Sequence, residues 1–171
     1  AVAHLSEKEQ EAIFEKIGLA ALKYFIIKVN PKKRMVFDPQ ESVDMQGTTG
    51  PYIQNAYVRI QSILRKAQSS GHSSVEYRGK LAMGSQDKKI LTLMLSYPEV
   101  LDEAIQNYDP SLVANFCYAL AKSFHRYYHD NVILDDDNKY MSSYRLDFAR
   151  CIAEILENAM ALLGIEMPEY M

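Results

Sequence analysis

The sequence contains no tryptophan and only two cysteines, Cys117 and Cys151. Both sit inside helical patterns, and their spacing fits neither a metal knuckle nor a disulfide framework, so buried free thiols in a reducing compartment are expected. Glycine and proline are also sparse, at seven and six in 171 residues, which leaves long stretches free to be helical. No apolar run approaches the roughly 20 residues that span a bilayer, so no membrane association is expected. There is no signal-peptide pattern and the first residue is not methionine, so the chain reads as a trimmed cytoplasmic fragment.

What is present is a tyrosine-heavy aromatic set, twelve Tyr against six Phe. Tyrosine tolerates half-exposed positions, so some of these rings are expected to line a surface. The net charge of −3 hides an asymmetry. Residues 28–90 hold eleven Lys or Arg against five Asp or Glu, and residues 91–171 hold five against thirteen. That distribution fits a polyanion lying along one region, and equally an ordinary solvated surface.

Ser6 with Glu9 forms a capping-box pattern that opens a helix to about Val29, with Gly18 as a point of interruption. Asn30-Pro31 ends it, and Met35-Val36-Phe37 reads as a short extended piece. Asp38-Pro39-Gln40-Glu41 starts a short turn of helix. Thr49-Gly50-Pro51 then opens a long helix through Ser69. Tyr52, Tyr57, Ile60, Ile63 and Leu64 mark its apolar side, while Gln54, Arg59, Arg65 and Lys66 count as polar. Residues 69–86, rich in Ser and Gly, read as a loop. Helices follow over Gln86–Ser96, from Pro98 to about Tyr108, and from Asp109-Pro110 to about Leu134. Ser142 or Ser143 is expected to cap the last helix, which stops at Gly164. The fold class is all-α, a helical bundle with short connections.

Few residues point to catalysis. His125 and His129 lie one helical turn apart, but no third metal ligand stands out, so no metal site is expected. Asp135-Asp136-Asp137-Asn138 lacks the spacing and closing Glu of a calcium loop. There is no nucleophile elbow, and the glycines at 47 and 50 do not form a phosphate-binding loop. No catalytic residue is assigned. The pattern reads as a binding module. Tyr52, Asn55 and Arg59 fall at i, i+3 and i+7 and share one helix face. A ring, an amide and a guanidinium on one stripe suit an unpaired nucleotide, which the ring stacks on and the polar groups read. The bland alternative has Tyr52 in the core and Arg59 merely solvated.

The block Met45-Gln46-Gly47-Thr48-Thr49-Gly50-Pro51-Tyr52-Ile53-Gln54-Asn55-Ala56-Tyr57-Val58-Arg59-Ile60, with Ser62-Ile63-Leu64-Arg65-Lys66 after it, closely resembles the segment joining the catalytic and anticodon-binding domains of arginyl-tRNA synthetases. Ile17 through Phe25 looks like the helix that follows the family's second signature sequence. Arg145-Leu146, Leu162-Leu163-Gly164-Ile165, Pro168-Glu169 and the terminal Met171 resemble the family's carboxy-terminal end. The resemblance implies a helical bundle of the class I synthetase anticodon-binding type, with residues 1–50 the end of the catalytic region and 51–171 the anticodon-binding bundle. It implies an arginine–tRNA ligase as the parent, which uses ATP and magnesium and acts as a monomer on arginine and its tRNA. The fragment itself lacks both signature motifs and holds no cofactor. It implies anticodon contacts at Tyr52, Asn55, Arg59, Tyr128, His129 and Met171, and phosphate contacts at Arg65 and Lys66. At Asn55 the family usually has tyrosine, so stacking there gives way to an amide hydrogen bond. A related domain of cysteinyl-tRNA synthetases and a non-enzymatic helical interaction module are the alternatives. The Gly-Thr-Thr-Gly-Pro-Tyr and Pro-Glu-Tyr-Met segments favour the arginyl family.

Overall fold

The computed structural model describes residue 2, residues 5–70 and residues 83–171. Seven α-helices and no strand occur among them. The chain begins with α1 (Glu7–Ile27) and a single turn, α2 (Pro39–Ser42). Next come α3 (Gly50–Ser69), α4 (Ser85–Leu95) and α5 (Tyr97–Asn107). The bundle is completed by α6 (Ser111–Asp130) and α7 (Lys139–Leu162). The 69–86 loop reading falls largely on residues outside the described ones.

Local chemistry sets most of the boundaries. Ser6 Oγ accepts from the Glu9 N–H, and the Glu9 carboxylate accepts from the Ser6 N–H at 2.8 Å, closing the expected capping box. Gly18 does not interrupt α1. Asp38 caps α2 by accepting from the N–H groups of Gln40 and Glu41. Thr49 Oγ1 accepts from the Tyr52 N–H at 3.2 Å and starts α3. At the other end, Gly164 takes φ +69°, and the Ile165 N–H donates back to Met160 O at 2.9 Å. That is the left-handed cap expected of a glycine after α7.

The stretch 35–37 has no regular secondary structure, and Phe37 packs edge-on against Phe25 at 5.2 Å. Two helix boundaries need correction. Helix α6 stops at Asp130, not Leu134, because Asn131 turns extended and its side-chain amide donates to Tyr127 O at 2.9 Å. Helix α7 starts earlier than Ser142: Asn138 caps it by accepting from the Met141 N–H. Ser142 is buried, and its hydroxyl exchanges two hydrogen bonds with the backbone of Asp135. The expectation of two buried thiols holds for only one of them. Cys117 is buried, and burial pushes its pKa up to about 12, whereas Cys151 is exposed.

Helix α3 is the hub, packing against α1, α6 and α7. Ile53, Ala56 and Ile60 from α3 meet Leu120 and Phe124 of α6 and Ile152 and Leu156 of α7 in one buried cluster. Helix α1 adds Ala20 and Tyr24 to that cluster, and the Tyr24 hydroxyl donates to Ala114 O at 3.2 Å. The outward side of α1 leaves Phe14, Leu22 and Ile26 exposed.

Tyr108, the C-cap of α5, is the one non-glycine residue at positive φ among the described residues, at 52°, and it is exposed. A left-handed conformation costs an L-residue about 1–2 kcal/mol. Glycine removes that cost while losing more backbone entropy on folding. Tyr108→Gly is therefore expected to raise stability by about 0.5–1 kcal/mol. A denaturant titration that shows equal or lower stability would contradict this.

Candidate nucleic-acid interface

The exposed edge of α3 that faces α6 carries the stripe read from the sequence. Tyr52, Asn55 and Arg59 are all half-buried along it, and Lys66, two helical turns beyond Arg59, continues it as an exposed residue. The neighbours of Tyr52 and Arg59 are aromatic. The Tyr52 ring meets His125 at 4.7 Å and Tyr118 at 5.3 Å. The Arg59 guanidinium lies over the Tyr128 ring, 4.9 Å from its centroid, in cation–π geometry. Its Nη1–H donates to His125 Nδ1 at 3.2 Å, and no carboxylate among the described residues pairs with it. Burial, and secondarily Tyr118, raises the Tyr52 hydroxyl pKa, with Arg59 working in the opposite direction, so the phenol is neutral at physiological pH.

Beyond Arg59 the surface opens into a hollow of about 520 Å³ between α3 and the end of α6. Lys66, Tyr128, His129 and Ile133 line it. Tyr128 is 39% exposed, and the His129 side chain is nearly free in solvent. The hollow is not uniformly basic. Asp130 stands in it, bonded to His129 at 3.0 Å and held below the usual carboxylate range chiefly by that bond and by one from Gln86.

Arg65 is elsewhere. It lies about 120° round the helix from Arg59 at 3.6 residues per turn. There its guanidinium covers the Tyr170 ring at 4.4 Å and donates to Glu169 O at 3.2 Å. Met171, half-buried, follows directly. The tail is pinned a second time by Gln54, polar by residue type but fully buried, whose side-chain amide donates to Glu166 O at 2.9 Å. The structure thus brings Tyr52, Asn55, Arg59, Lys66, Tyr128 and His129 to one side, and puts Arg65 on the tail.

Sequence reasoning missed His125 and Tyr118, which sit behind the stripe. Spacing alone pairs His125 with His129, one helical turn apart. In the structure His125 turns inward between α3 and α6, while His129 turns out to Asp130. The only sequence signal was that His125 falls on the α6 face with Ala121 and Phe124, both buried.

Residues 53–171 match the DALR anticodon binding domain. The chain belongs to that family. Curated relatives named arginine–tRNA ligase extend the likeness toward the amino terminus. The one from Phocaeicola vulgatus is 40% identical over 168 residues, 98% of this chain and 28% of that protein. The one from Porphyromonas gingivalis is 36% identical over 170 residues, again 28% of its length. The chain therefore spans under a third of these relatives. Among solved structures, the Thermus thermophilus arginyl-tRNA synthetase superposes with a TM-score of 0.76 at 28% identity, covering 91% of this chain and 27% of that one. The Plasmodium falciparum arginyl-tRNA synthetase shares the fold, with a TM-score of 0.78 at 23% identity over 94% of this chain and 28% of that one. The DALR domain is all-α here, as expected.

Proposed function

We propose that this chain grips the anticodon stem-loop of an arginine tRNA, as part of an arginine–tRNA ligase that joins arginine to its tRNA at the expense of ATP. The observation that carries the reading is the shared edge of α3 and α6. Tyr52 and Arg59 stand together on it, backed by aromatic rings and continuous with the hollow at Tyr128 and His129. An unpaired base stacks on an accessible ring, and a guanidinium with free donors reads a base edge or a phosphate. Asn55 adds an amide on the same stripe, and Lys66 adds charge for a phosphate of the loop. Met171 packs beside the loop from the tail. Arg65 reaches a phosphate only by leaving the Tyr170 ring, so its share of the contact is the smaller one.

Arginine, ATP and magnesium belong to the rest of the polypeptide, and the whole acts as a cytoplasmic monomer. Residues 1–50 belong with that rest. The exposed Phe14, Leu22 and Ile26 of α1 are then the side on which it lies. The match to relatives named arginine–tRNA ligase favours arginine over cysteine as the amino acid. Charging assays on the full-length protein test this: arginine should be transferred to its tRNA and cysteine should not. Transfer of cysteine, or of no amino acid, would overturn the reading.

A further inference from the structure

His125 touches two members of the stripe, Tyr52 and Arg59, and the chemistry of these contacts fixes its protonation. Arg59 Nη1 can only donate, so His125 Nδ1, 3.2 Å away, accepts and carries no proton. The Tyr52 carbonyl can only accept, so Nε2, 3.4 Å away, carries the proton and donates to it. The ring is therefore neutral, in the Nε2–H form, spanning from the backbone of Tyr52 to the side chain of Arg59. The Tyr52 ring meets it edge-to-face, with the ring centroids 4.7 Å apart. We infer that His125 is a positioning residue for the anticodon contact, a latch whose neutral imidazole holds the Arg59 guanidinium over Tyr128 and fixes α3 at Tyr52.

The inference rests on the anticodon reading and adds a dependence on proton concentration. A proton on Nδ1 removes the acceptor that Arg59 uses and sets two cations side by side. Among the described residues, the titratable and charged groups around the ring are Arg59 and Tyr52 from α3 and, on α6 itself, Tyr118, Tyr128 and the more distant Lys122 beside Tyr118, with no carboxylate bonded to it. Burial first, and Arg59 after it, hold the imidazole below its usual pKa, with the Tyr52 carbonyl pulling the other way. Because the folded value lies below the unfolded one, the unfolded or unlatched chain binds more protons. The latch is then intact above about pH 6.5 and lost as pH falls through the folded value. His129 is exposed and bonded to Asp130, on the far side of Tyr128 from Arg59.

The test uses the full-length protein and an unmodified arginine tRNA transcript, with His125→Leu, His125→Gln and Arg59→Ala. Glutamine can accept from Arg59 with its oxygen and donate to the Tyr52 carbonyl with its nitrogen, yet it gains no proton. His125→Leu is expected to bind the transcript roughly tenfold more weakly at neutral pH, about one lost contact's worth. His125→Gln should stay within about twofold of wild type and lose the extra weakening that wild type shows between about pH 7 and 5.5. If His125→Leu fails to fold, the two pH profiles still decide. A His125→Gln profile that falls in parallel with wild type, or a folded His125→Leu that binds like wild type, overturns the latch. Unchanged binding by Arg59→Ala instead overturns the anticodon reading beneath it.

Discussion

Replacing Arg59 with alanine in the full-length protein will lower kcat/KM for arginine tRNA by roughly ten- to hundredfold, about 1.4–2.7 kcal/mol of lost transition-state binding. The size follows from what the side chain does. Its guanidinium is held by a ring below and an imidazole beside it, so little rotamer entropy remains to be lost when RNA arrives. Only one of its five N–H donors is taken by His125, and the rest are available to a phosphate or base edge. The KM values for arginine and ATP, measured at saturating tRNA, should stay within about twofold, because uniform binding of those substrates is untouched. The same variant should bind less steeply with salt if the contact is to phosphate, since one fewer counterion is released. Unchanged kcat/KM for the tRNA would remove Arg59 from the site.

The second large effect is structural. Gly50→Ala will destabilise the fold by about 3 kcal/mol, the upper part of the range for overpacking. Gly50 opens α3 where it crosses α1, and a Cβ there would sit 2.7 Å from the Ala20 carbonyl carbon and 3.1 Å from Tyr24 Cβ, closer still to the Ala20 oxygen. Two of those atoms are backbone, so no rotamer change relieves the clash; α1 itself must move. Displacing α1 also drags Tyr24 from its place against Ala114 O. Denaturant unfolding of the two chains measures the difference, and equal midpoints would contradict the close crossing. Gly18 makes a useful control, since nothing lies within 4 Å of a Cβ added there. Gly18→Ala should therefore be neutral or mildly stabilising through helix propensity.

The contrast between these glycines shows where sequence stops being legible. Gly50 reads as punctuation before a proline, and that reading is right as far as it goes, since Thr49 caps the helix there. That the same glycine is also a point of contact between two helices needs a partner 30 residues away, and no local pattern names it. Helix starts at Glu7, Pro39 and Gly50 were readable because a side chain within three residues caps each of them. The end of α6 was not, since Val132, Ile133 and Leu134 continue an apolar pattern after the backbone has already turned. Ile133 is buried by chain reversal, which periodicity cannot tell from helix.

The same limit divides the candidate site. Tyr52, Asn55 and Arg59 lie on one helix, so 3.6-residue periodicity placed them correctly together. Arg65 and Lys66 are adjacent in sequence and were grouped as phosphate contacts, yet neighbours in a helix point about 100° apart. One faces the hollow, and the other lies over Tyr170. Gln54 is polar by residue type, which does not say whether it is exposed. Its amide is instead consumed by Glu166 O, a carbonyl of the returning tail. His125 belongs to the same class, since its partners come from a helix more than 60 residues earlier.

The central claim is that the Tyr52 and Arg59 stripe meets unpaired bases of an RNA loop, and a binding cycle measures it. Wild-type full-length protein and Tyr52→Ala/Arg59→Ala are each titrated with an arginine tRNA transcript and with one whose anticodon nucleotides lack their bases. Removing the bases should weaken the wild type strongly and the double variant little, leaving a coupling of at least about 1 kcal/mol. Equal weakening of both proteins would mean that the bases are held elsewhere, and the assignment of this edge to the anticodon would be wrong.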